Sequence, residues 1–174
     1  MVRRIAMEIT ERNRDPSRLA LVGIHTRGVP LARRILAALP QGGPHRPRMG
    51  SLDITLHRDD FDRPSFDPEV RDSDLSFDIT GLNVVLVDDV LHTGRTIRAA
   101  IDELMDFGRP AQIQLAVLVD REGRELPIAP TFVGQRVATR SNESIRVRLG
   151  EVDPGPEAVY VVQRGAGGPQ SNRG

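Results

Sequence analysis

The stretch VVLVDDVLHTGRT, residues 84–96, decides the fold of this chain. Val84 to Val87 is a short apolar run rich in β-branched residues, which predicts a buried central strand. Beyond Thr96 apolar residues recur at helical spacing until Gly108 and Pro110 end the pattern, so a helix is predicted there. Its apolar positions are Ile97, Ala100, Ile101, Leu104 and Met105. Strand, loop and helix in this order indicate one unit of an α/β sheet.

The loop between this strand and this helix has the chemistry of a phosphate site. A helix N-terminus offers N–H groups and positive potential, and Gly94 lets the backbone approach a phosphate closely. Asp88 and Asp89 follow the strand and can accept hydrogen bonds from vicinal hydroxyls. Two solvated acids at a strand end would look the same when taken alone. Beside a phosphate loop, however, the pair indicates a ribose 5-phosphate ligand.

The rest of the chain continues the alternation of strands and helices. Residues 3–13 predict a helix with Ile5, Ile9 and Met7 facing inward, and a second helix starts near Pro30 with a buried stripe at Leu31, Ile35 and Leu39. Predicted strands are Leu19–Ile24, Leu52–Leu56, Ile113–Val119, Thr131–Val133, Ile145–Leu149 and Val159–Val162. We therefore expect an α/β fold with a central, mostly parallel sheet flanked by helices. Residues 1–164 should form one domain, and residues 165–174, rich in glycine, a disordered tail.

Residues 57–78 differ from the rest of the chain. They carry eight acids against three arginines and show no clear periodicity. A stretch of this length and composition is a solvated, disordered loop or a flexible lid.

Composition narrows the class of protein. The chain has 174 residues, no cysteine and no lysine, and its formal net charge is zero. These features exclude disulfides, Schiff-base chemistry and the lysine-dependent Walker loop, and they give no overall signal for nucleic-acid binding. No apolar run is long enough to span a membrane and the N-terminus does not resemble a signal peptide, so we expect a cytoplasmic protein without a membrane partner.

The signature at 84–96 resembles the phosphoribosyl pyrophosphate (PRPP) motif of the type I phosphoribosyltransferases. Four further blocks resemble, in order, the branch of that family that combines pyrimidine-operon regulation with uracil phosphoribosyltransferase activity. The blocks are GIHTRGVPLARR (23–34), LDITLHRDD (52–60), GRPAQIQLAVLVDREGRELPI (108–128) and TRSNES (139–144). The resemblance covers residues 4–149 and implies the type I fold, with a flexible lid and a small hood. Relatives have a further short N-terminal segment, so either the start was assigned late or the element is missing.

The resemblance implies roles for individual residues. Asp88 and Asp89 would hold the ribose hydroxyls and stabilise charge at C1, and Arg58 on the lid would contact pyrophosphate. The implied phosphate and pyrophosphate contacts are His25, Thr26, Arg27 and Gly28 in one turn and His92, Thr93, Gly94, Arg95 and Thr96 in another. The implied base contacts are Asp120, Arg121 and Ile128. No protein metal site is expected, because Mg²⁺ would arrive with the substrate.

The implied reaction converts uracil and PRPP to UMP and pyrophosphate, and the implied assembly is a homodimer or homotetramer. A second hypothesis is an RNA-binding regulator of the pyrimidine operon that senses nucleotide, with a vestigial active site. Its candidate contacts to leader RNA are Arg4, Arg12, Arg140 and Arg146. Relatives usually carry histidines at positions 7 and 123, so this chain could instead be an enzyme that has lost RNA binding. A purine-specific enzyme is the third alternative, disfavoured because no lysine follows the strand at 113–119.

Overall fold

Five parallel strands form the central sheet of the computed structural model, which describes residues 1–40, 45–54 and 73–163. The strands are β1 (Leu19–Ile24), β2 (Arg48–Leu52), β3 (Asn83–Leu91), β4 (Gln112–Arg121) and β5 (Phe132–Val137). Their order across the sheet is β2-β1-β3-β4-β5. All six residues of β1 are buried, as expected for a strand covered on both faces.

Helices cover the two faces of this sheet. They are α1 (Val2–Arg12), α2 (Gly28–Ala38) and α3 (Arg95–Asp106). α1 and α2 pack on one face through Ile5, Ile9, Leu31 and Ile35. α3 packs on the other face through Ile97, Ala100 and Leu104. The predicted α/β class, with a central parallel sheet flanked by helices, is confirmed.

An antiparallel hairpin follows the central sheet. Its strands are β6 (Glu143–Arg148) and β7 (Ala158–Gln163), and Val147 pairs with Val159 across it. Val147 is buried and belongs to the core shared with α1 and α2, whereas Val161 is exposed. The hairpin thus rests on the domain through β6, and we call it the hood.

The second strand lies earlier than the sequence predicts. The pattern from Leu52 to Leu56 predicts a strand there, but β2 runs from Arg48 to Leu52, and residues 55 and 56 lie outside the described residues. Pairing with β1 fixes these bounds, since β1 ends where Ile24 meets Leu52. Gly50 is the first fully buried position of β2, where a Cβ would lie 2.4 Å from the Leu75 side chain, and Met49 before it is only partly buried. The strand's beginning therefore carries only a weak apolar signal.

Two methionines expected on apolar helix faces are exposed instead. Met7 is 64% exposed because it lies on the side of α1 opposite Ile5 and Ile9. Met105 is 48% exposed, beside the buried Leu104 in the last turn of α3. Most of the predicted lid and all of the predicted tail, residues 165–174, lie outside the described residues.

Candidate active site

The strand order creates a crevice at the carboxyl ends of β1 and β3. These strands are neighbours, yet β1 leads into α2 on one face of the sheet and β3 leads into α3 on the other. In open α/β sheets ligands bind where successive connections diverge in this way. Both turns for which the family resemblance implies phosphate or pyrophosphate contacts lie here.

Residues 25–28 form the turn between β1 and α2. A Cβ on Gly28 would lie 2.1 Å from the Val87 carbonyl oxygen and 3.4 Å from the Asp88 Cα. Only glycine therefore allows α2 to start this close to the end of β3. The peptide bond between His25 and Thr26 is cis. This turn and the carboxylate pair thus share one wall of the crevice.

Asp88 and Asp89 end the apolar part of β3. Asp88 is 7% exposed, and its Oδ1 accepts a hydrogen bond of 2.8 Å from the Asp89 N–H. Asp89 Oδ1 accepts a hydrogen bond of 2.9 Å from the Val90 N–H. Burial raises the pKa of Asp89, although the Asp88 hydrogen bond and the charge of Arg27 oppose the rise. The pair is a desolvated, negatively charged centre.

Arg27 supplies the positive charge on the other side of this centre. Its guanidinium donates to Asp153 through Nε at 3.0 Å and through Nη2 at 2.6 Å. The pKa of Arg27 is raised, chiefly by the hydrogen bonds to Asp153 and further by the charges of Asp89 and Asp88. The structure therefore brings the predicted pyrophosphate turn and the predicted ribose carboxylates into one electrostatic unit.

The phosphate loop, residues 91–95, turns directly into α3. Gly94 has a φ of +94°, a conformation that favours glycine, and its carbonyl accepts the Arg98 N–H at 2.9 Å. The Thr93 hydroxyl accepts the Arg95 N–H at 3.3 Å. The Arg95 side chain forms an ion pair of 2.7 Å with Glu125. Thr96 lies in the first turn of α3, where backbone N–H groups have no partner within the helix.

The predicted base contacts divide into two groups. Arg121 is 7% exposed and donates to the Thr139 hydroxyl at 2.6 Å and to the Glu143 carbonyl at 2.8 Å, which ties β4 to the hood. Its Nη1 also lies 3.3 Å from the His92 Nδ1. Asp120 and Ile128 lie at the two ends of the base-side loop, residues 120–128. Both of them contact one further residue, Arg124.

Arg124 and Asp153 are the residues that sequence reasoning missed. Arg124 lies inside a block that carries the resemblance, but nothing in its spacing distinguishes it from other arginines of the chain. Asp153 lies in a loop with two other acids, Glu151 and Glu157, which both pair with Arg34. Neither Arg124 nor Asp153 belongs to a periodic apolar pattern. Each makes its contacts between loops, and such contacts leave no periodic signal in the sequence.

Only the last part of the predicted lid, residues 73–78, falls within the described residues. His57, Arg58, Asp59 and Asp60 lie outside the described residues, so the predicted pyrophosphate contact of Arg58 stays a prediction. Its last part, residues 73–78, lies against the sheet edge, where Asp74 forms an antiparallel bridge with Ser51.

The four arginines predicted to contact RNA lie on α1, after β5 and on β6. Arg4 is engaged with β5, since its guanidinium donates to the carbonyls of Val133 and Gly134. Arg12 is exposed at the end of α1, next to Asn13, whose amide bonds to Gln114 near the start of β4. Arg140 follows β5, and Arg146 lies on β6, so both are near the hood.

The two carboxylates of the crevice suit Mg²⁺ as ligands. Among the described residues no group of three or more His, Cys, Asp or Glu side chains could hold a metal ion. Asp88 and Asp89 provide two adjacent carboxylates, and Mg²⁺ is commonly held by one or two carboxylates together with substrate oxygens. Nor does any helix in the described ranges have the length and apolarity to cross a membrane.

Comparison with known proteins agrees with this geometry. A sequence model of the phosphoribosyl transferase domain matches residues 1–149. A protein of Roseiflexus sp. strain RS-1 named Bifunctional protein PyrR is 57% identical over 162 residues, covering 93% of this chain and 88% of the relative. The protein of that name from Thermus aquaticus is 55% identical over 150 residues, covering 86% of this chain and 83% of the relative. The chain belongs to the PyrR family of phosphoribosyltransferases.

Solved structures show the same fold beyond this family. A Trypanosoma cruzi hypoxanthine phosphoribosyl transferase superposes with a TM-score of 0.61 at 20% identity, covering 79% of this chain and 72% of that one. A hypoxanthine-guanine-xanthine phosphoribosyltransferase gives a TM-score of 0.59 at 19% identity, covering 82% of this chain and 74% of that one. At these identities the likeness concerns the fold alone, which is the predicted type I fold.

Proposed function

We propose that this protein transfers the ribose 5-phosphate group of PRPP to uracil, giving UMP and pyrophosphate, and that it also regulates pyrimidine-operon transcription through leader RNA. The observation that carries the enzymatic proposal is the crevice itself. In it the Asp88–Asp89 pair lies beside the loop that leads into α3 and near the charge of Arg27, which supports binding of a phosphorylated ribose. Membership of the PyrR family supports both activities.

Each wall of the crevice has a role in this reaction. The backbone of residues 92–96 and the Thr93 and Thr96 hydroxyls bind the 5′-phosphate at the start of α3. Asp88 and Asp89 accept hydrogen bonds from the ribose hydroxyls, and their charge stabilises positive character at C1 as the bond to pyrophosphate breaks. The turn His25–Gly28 binds the leaving pyrophosphate through its backbone and Arg27. Positioning and charge stabilisation thus provide most of the rate.

The remaining assignments complete the proposed site. When bound, Mg²⁺ neutralises the charge of the leaving pyrophosphate. Asp120, Arg121 and Ile128 line the base-binding side, with main-chain groups of the base-side loop facing the uracil edge. Arg58 reaches the pyrophosphate from the predicted lid and helps exclude water. We place the protein in the cytoplasm, as a homodimer or homotetramer.

Site variants test the enzymatic proposal. Pyrophosphate release from PRPP should depend on added uracil and Mg²⁺ in the wild type, and should fall at least about 100-fold in Asp88→Asn and Asp89→Asn. Arg98→Met is the matched control, because Arg98 is exposed on α3 and pairs only with Asp102 among the contacts described. Full activity in both asparagine variants would contradict the proposal.

RNA binding is tested separately. Alternation along β6 puts Arg146 and Arg148 on one face of the hood, next to Tyr160, over which the Arg148 guanidinium lies at 5.1 Å from the ring centre. Two arginines on one face of a hairpin can contact RNA phosphates even though the net charge of the whole chain is zero. The affinity for leader RNA should change when UMP is added, and should fall after Arg146→Gln. Equal affinity for leader and unrelated RNA would contradict regulation by this route.

A further inference from the structure

The phosphate loop and the base-side loop are bound to each other by their main chains. The N–H groups of Glu125 and Leu126 both donate to the Thr93 carbonyl, at 3.0 and 3.1 Å. A Cβ on Gly94 would lie 3.3 Å from both the Leu126 Cβ and the Ile128 Cδ1, so the two loops are in close contact there as well. A contact that holds the position of one loop therefore also constrains the position of the other.

The guanidinium of Arg124 spans the junction of these loops. Its Nη1 donates to the His92 carbonyl at 2.6 Å, in the phosphate loop, and to the Arg121 carbonyl at 2.7 Å, in the base-side loop. Its Nε donates to the Ile128 carbonyl at 3.0 Å, and its Nη2 pairs with the Asp120 carboxylate. One side chain thus contacts both ends of the base-side loop and the backbone of the phosphate loop.

Arginine is the side chain suited to this junction. Its planar guanidinium carries five N–H donors in a fixed geometry, whereas lysine has three donors on a single rotating nitrogen. The Arg124 side chain is only 25% exposed, so the carbonyls that it satisfies are partly shielded from water. The neighbouring Arg121 has a different set of partners: two of its nitrogens bond to Thr139 and Glu143 of the hood side, and its Nη1 lies 3.3 Å from the His92 ring rather than from the loop backbone.

We propose that Arg124 is a positioning residue that sets the base-side loop relative to the phosphate loop, and so sets uracil relative to C1 of the ribose. The inference rests on the proposed function, since Asp120 and Ile128 are its base-side contacts and His92 belongs to its phosphate site. A base held by one loop must meet a sugar held by the other, and displacements of about 1 Å cost on the order of 100-fold in rate. Arg124 does not touch either substrate in this account.

The test compares a ligand that is expected to contact both loops with a ligand that is expected to contact only one of them. UMP contacts both loops, and ribose 5-phosphate contacts the phosphate loop alone. In Arg124→Lys we expect UMP affinity to fall at least about tenfold while ribose 5-phosphate affinity changes less than about threefold. The KM for uracil should rise and kcat should fall, with the KM for PRPP nearly unchanged. Arg98→Lys is the matched control and should leave all five quantities unchanged.

Arg124→Gln, which keeps amide donors, is measured in parallel so that one poorly folded variant does not decide the result. Equal losses of UMP and ribose 5-phosphate affinity, or no loss of either, would overturn the proposal. Loss of cooperative thermal unfolding in both variants would overturn it too, because Arg124 would then be a structural residue of the fold. Wild-type UMP binding and turnover are measured first. Their absence would contradict the proposed function itself, whereas normal wild-type values with unaffected variants would contradict only the role of Arg124.

Discussion

Arg27 and Asp153 join two loops that are 126 residues apart in sequence. The Arg27 guanidinium donates to both carboxylate oxygens of Asp153, at 3.0 and 2.6 Å. The Leu149 N–H donates to the same carboxylate at 3.0 Å, so Asp153 also closes its own loop. The hydrogen bonds from Arg27 hold the pKa of Asp153 below its usual range. The turn proposed to bind pyrophosphate is therefore held from the hood.

Removing the charge of Asp153 should weaken PRPP binding more than catalysis. We expect Asp153→Asn to raise the KM for PRPP about three- to tenfold and to leave kcat within about twofold. The reason is that the Arg27 guanidinium loses its two hydrogen bonds to a charged carboxylate and is held less firmly in the pyrophosphate turn. Steady-state kinetics with PRPP varied at saturating uracil measures this. Glu157→Gln is the control, since it removes a carboxylate from the same loop that pairs with Arg34 instead. Identical KM values for the two variants would contradict the assignment.

Replacing Asp89 should separate activity from stability. The folded protein raises the pKa of Asp89, so the ionised carboxylate destabilises the fold at neutral pH, and this cost disappears as acid protonates the group. Asp89→Asn should therefore lose activity yet unfold at a higher temperature than the wild type at pH 7. The gap between the two melting temperatures should narrow as the pH falls. A lower melting temperature for the variant at pH 7 would contradict this electrostatic picture.

A methyl group at position 28 should break the junction of α2 and β3. Gly28→Ala places a Cβ 2.1 Å from the Val87 carbonyl oxygen, a backbone atom that cannot move away cheaply. We expect the free energy of unfolding to fall by about 3 kcal/mol or more, with loss of activity. Gly150→Ala should cost less than about 1 kcal/mol, since its nearest contact is the flexible end of Glu157 at 3.3 Å. Urea unfolding of both variants checks the difference, and equal midpoints would contradict the close packing described.

Acid should remove the stabilisation that the Arg34–Glu157 ion pair gives to the loop after β6. Hydrogen bonds from Arg34 lower the pKa of Glu157 from 4.5 to about 2. A lowered pKa in the folded state means that the stabilisation is present above pH 4.5 and is lost as the pH falls towards 2. Unfolding temperatures measured across this range should decline less steeply for Glu157→Gln than for the wild type. Parallel curves for the two proteins would show that the ion pair does not contribute.

The sequence predicted the parts of the fold that carry a periodic or continuous apolar signal. β1 and β3 are such runs, and the stripe of α3 at Ile97, Ala100 and Leu104 is buried as expected. β2 lies earlier than predicted, because its first half offers only the partly buried Met49 and the buried Gly50 as apolar positions, and pairing with β1 fixes its bounds. Residue propensity and hydrophobic pattern describe one helix or strand at a time. The first and last residues of β2 depend on its pairing with β1 and so could not be predicted from them.

The same distinction applies to the site. The loop after β3 was predicted from local chemistry, since a glycine and acidic residues at a strand end have a chemical meaning of their own, whereas the role of the turn at 25–28 was indicated only by the family resemblance. Arg124 and Asp153 could not be predicted, because their roles arise from contacts between loops that are distant in the chain or in the fold. The positions of Arg4, Arg12, Arg140 and Arg146 likewise depend on topology rather than on sequence spacing.

The most direct test of the account is UMP formation from labelled uracil and PRPP with Mg²⁺, run in parallel with cytosine, hypoxanthine and orotate. The account predicts turnover with uracil and none above background with the other three bases. Turnover with hypoxanthine, or turnover of no base by a protein that binds UMP, would contradict it. The first result would indicate a purine enzyme on the same fold, and the second a regulator that uses the crevice only to sense nucleotide.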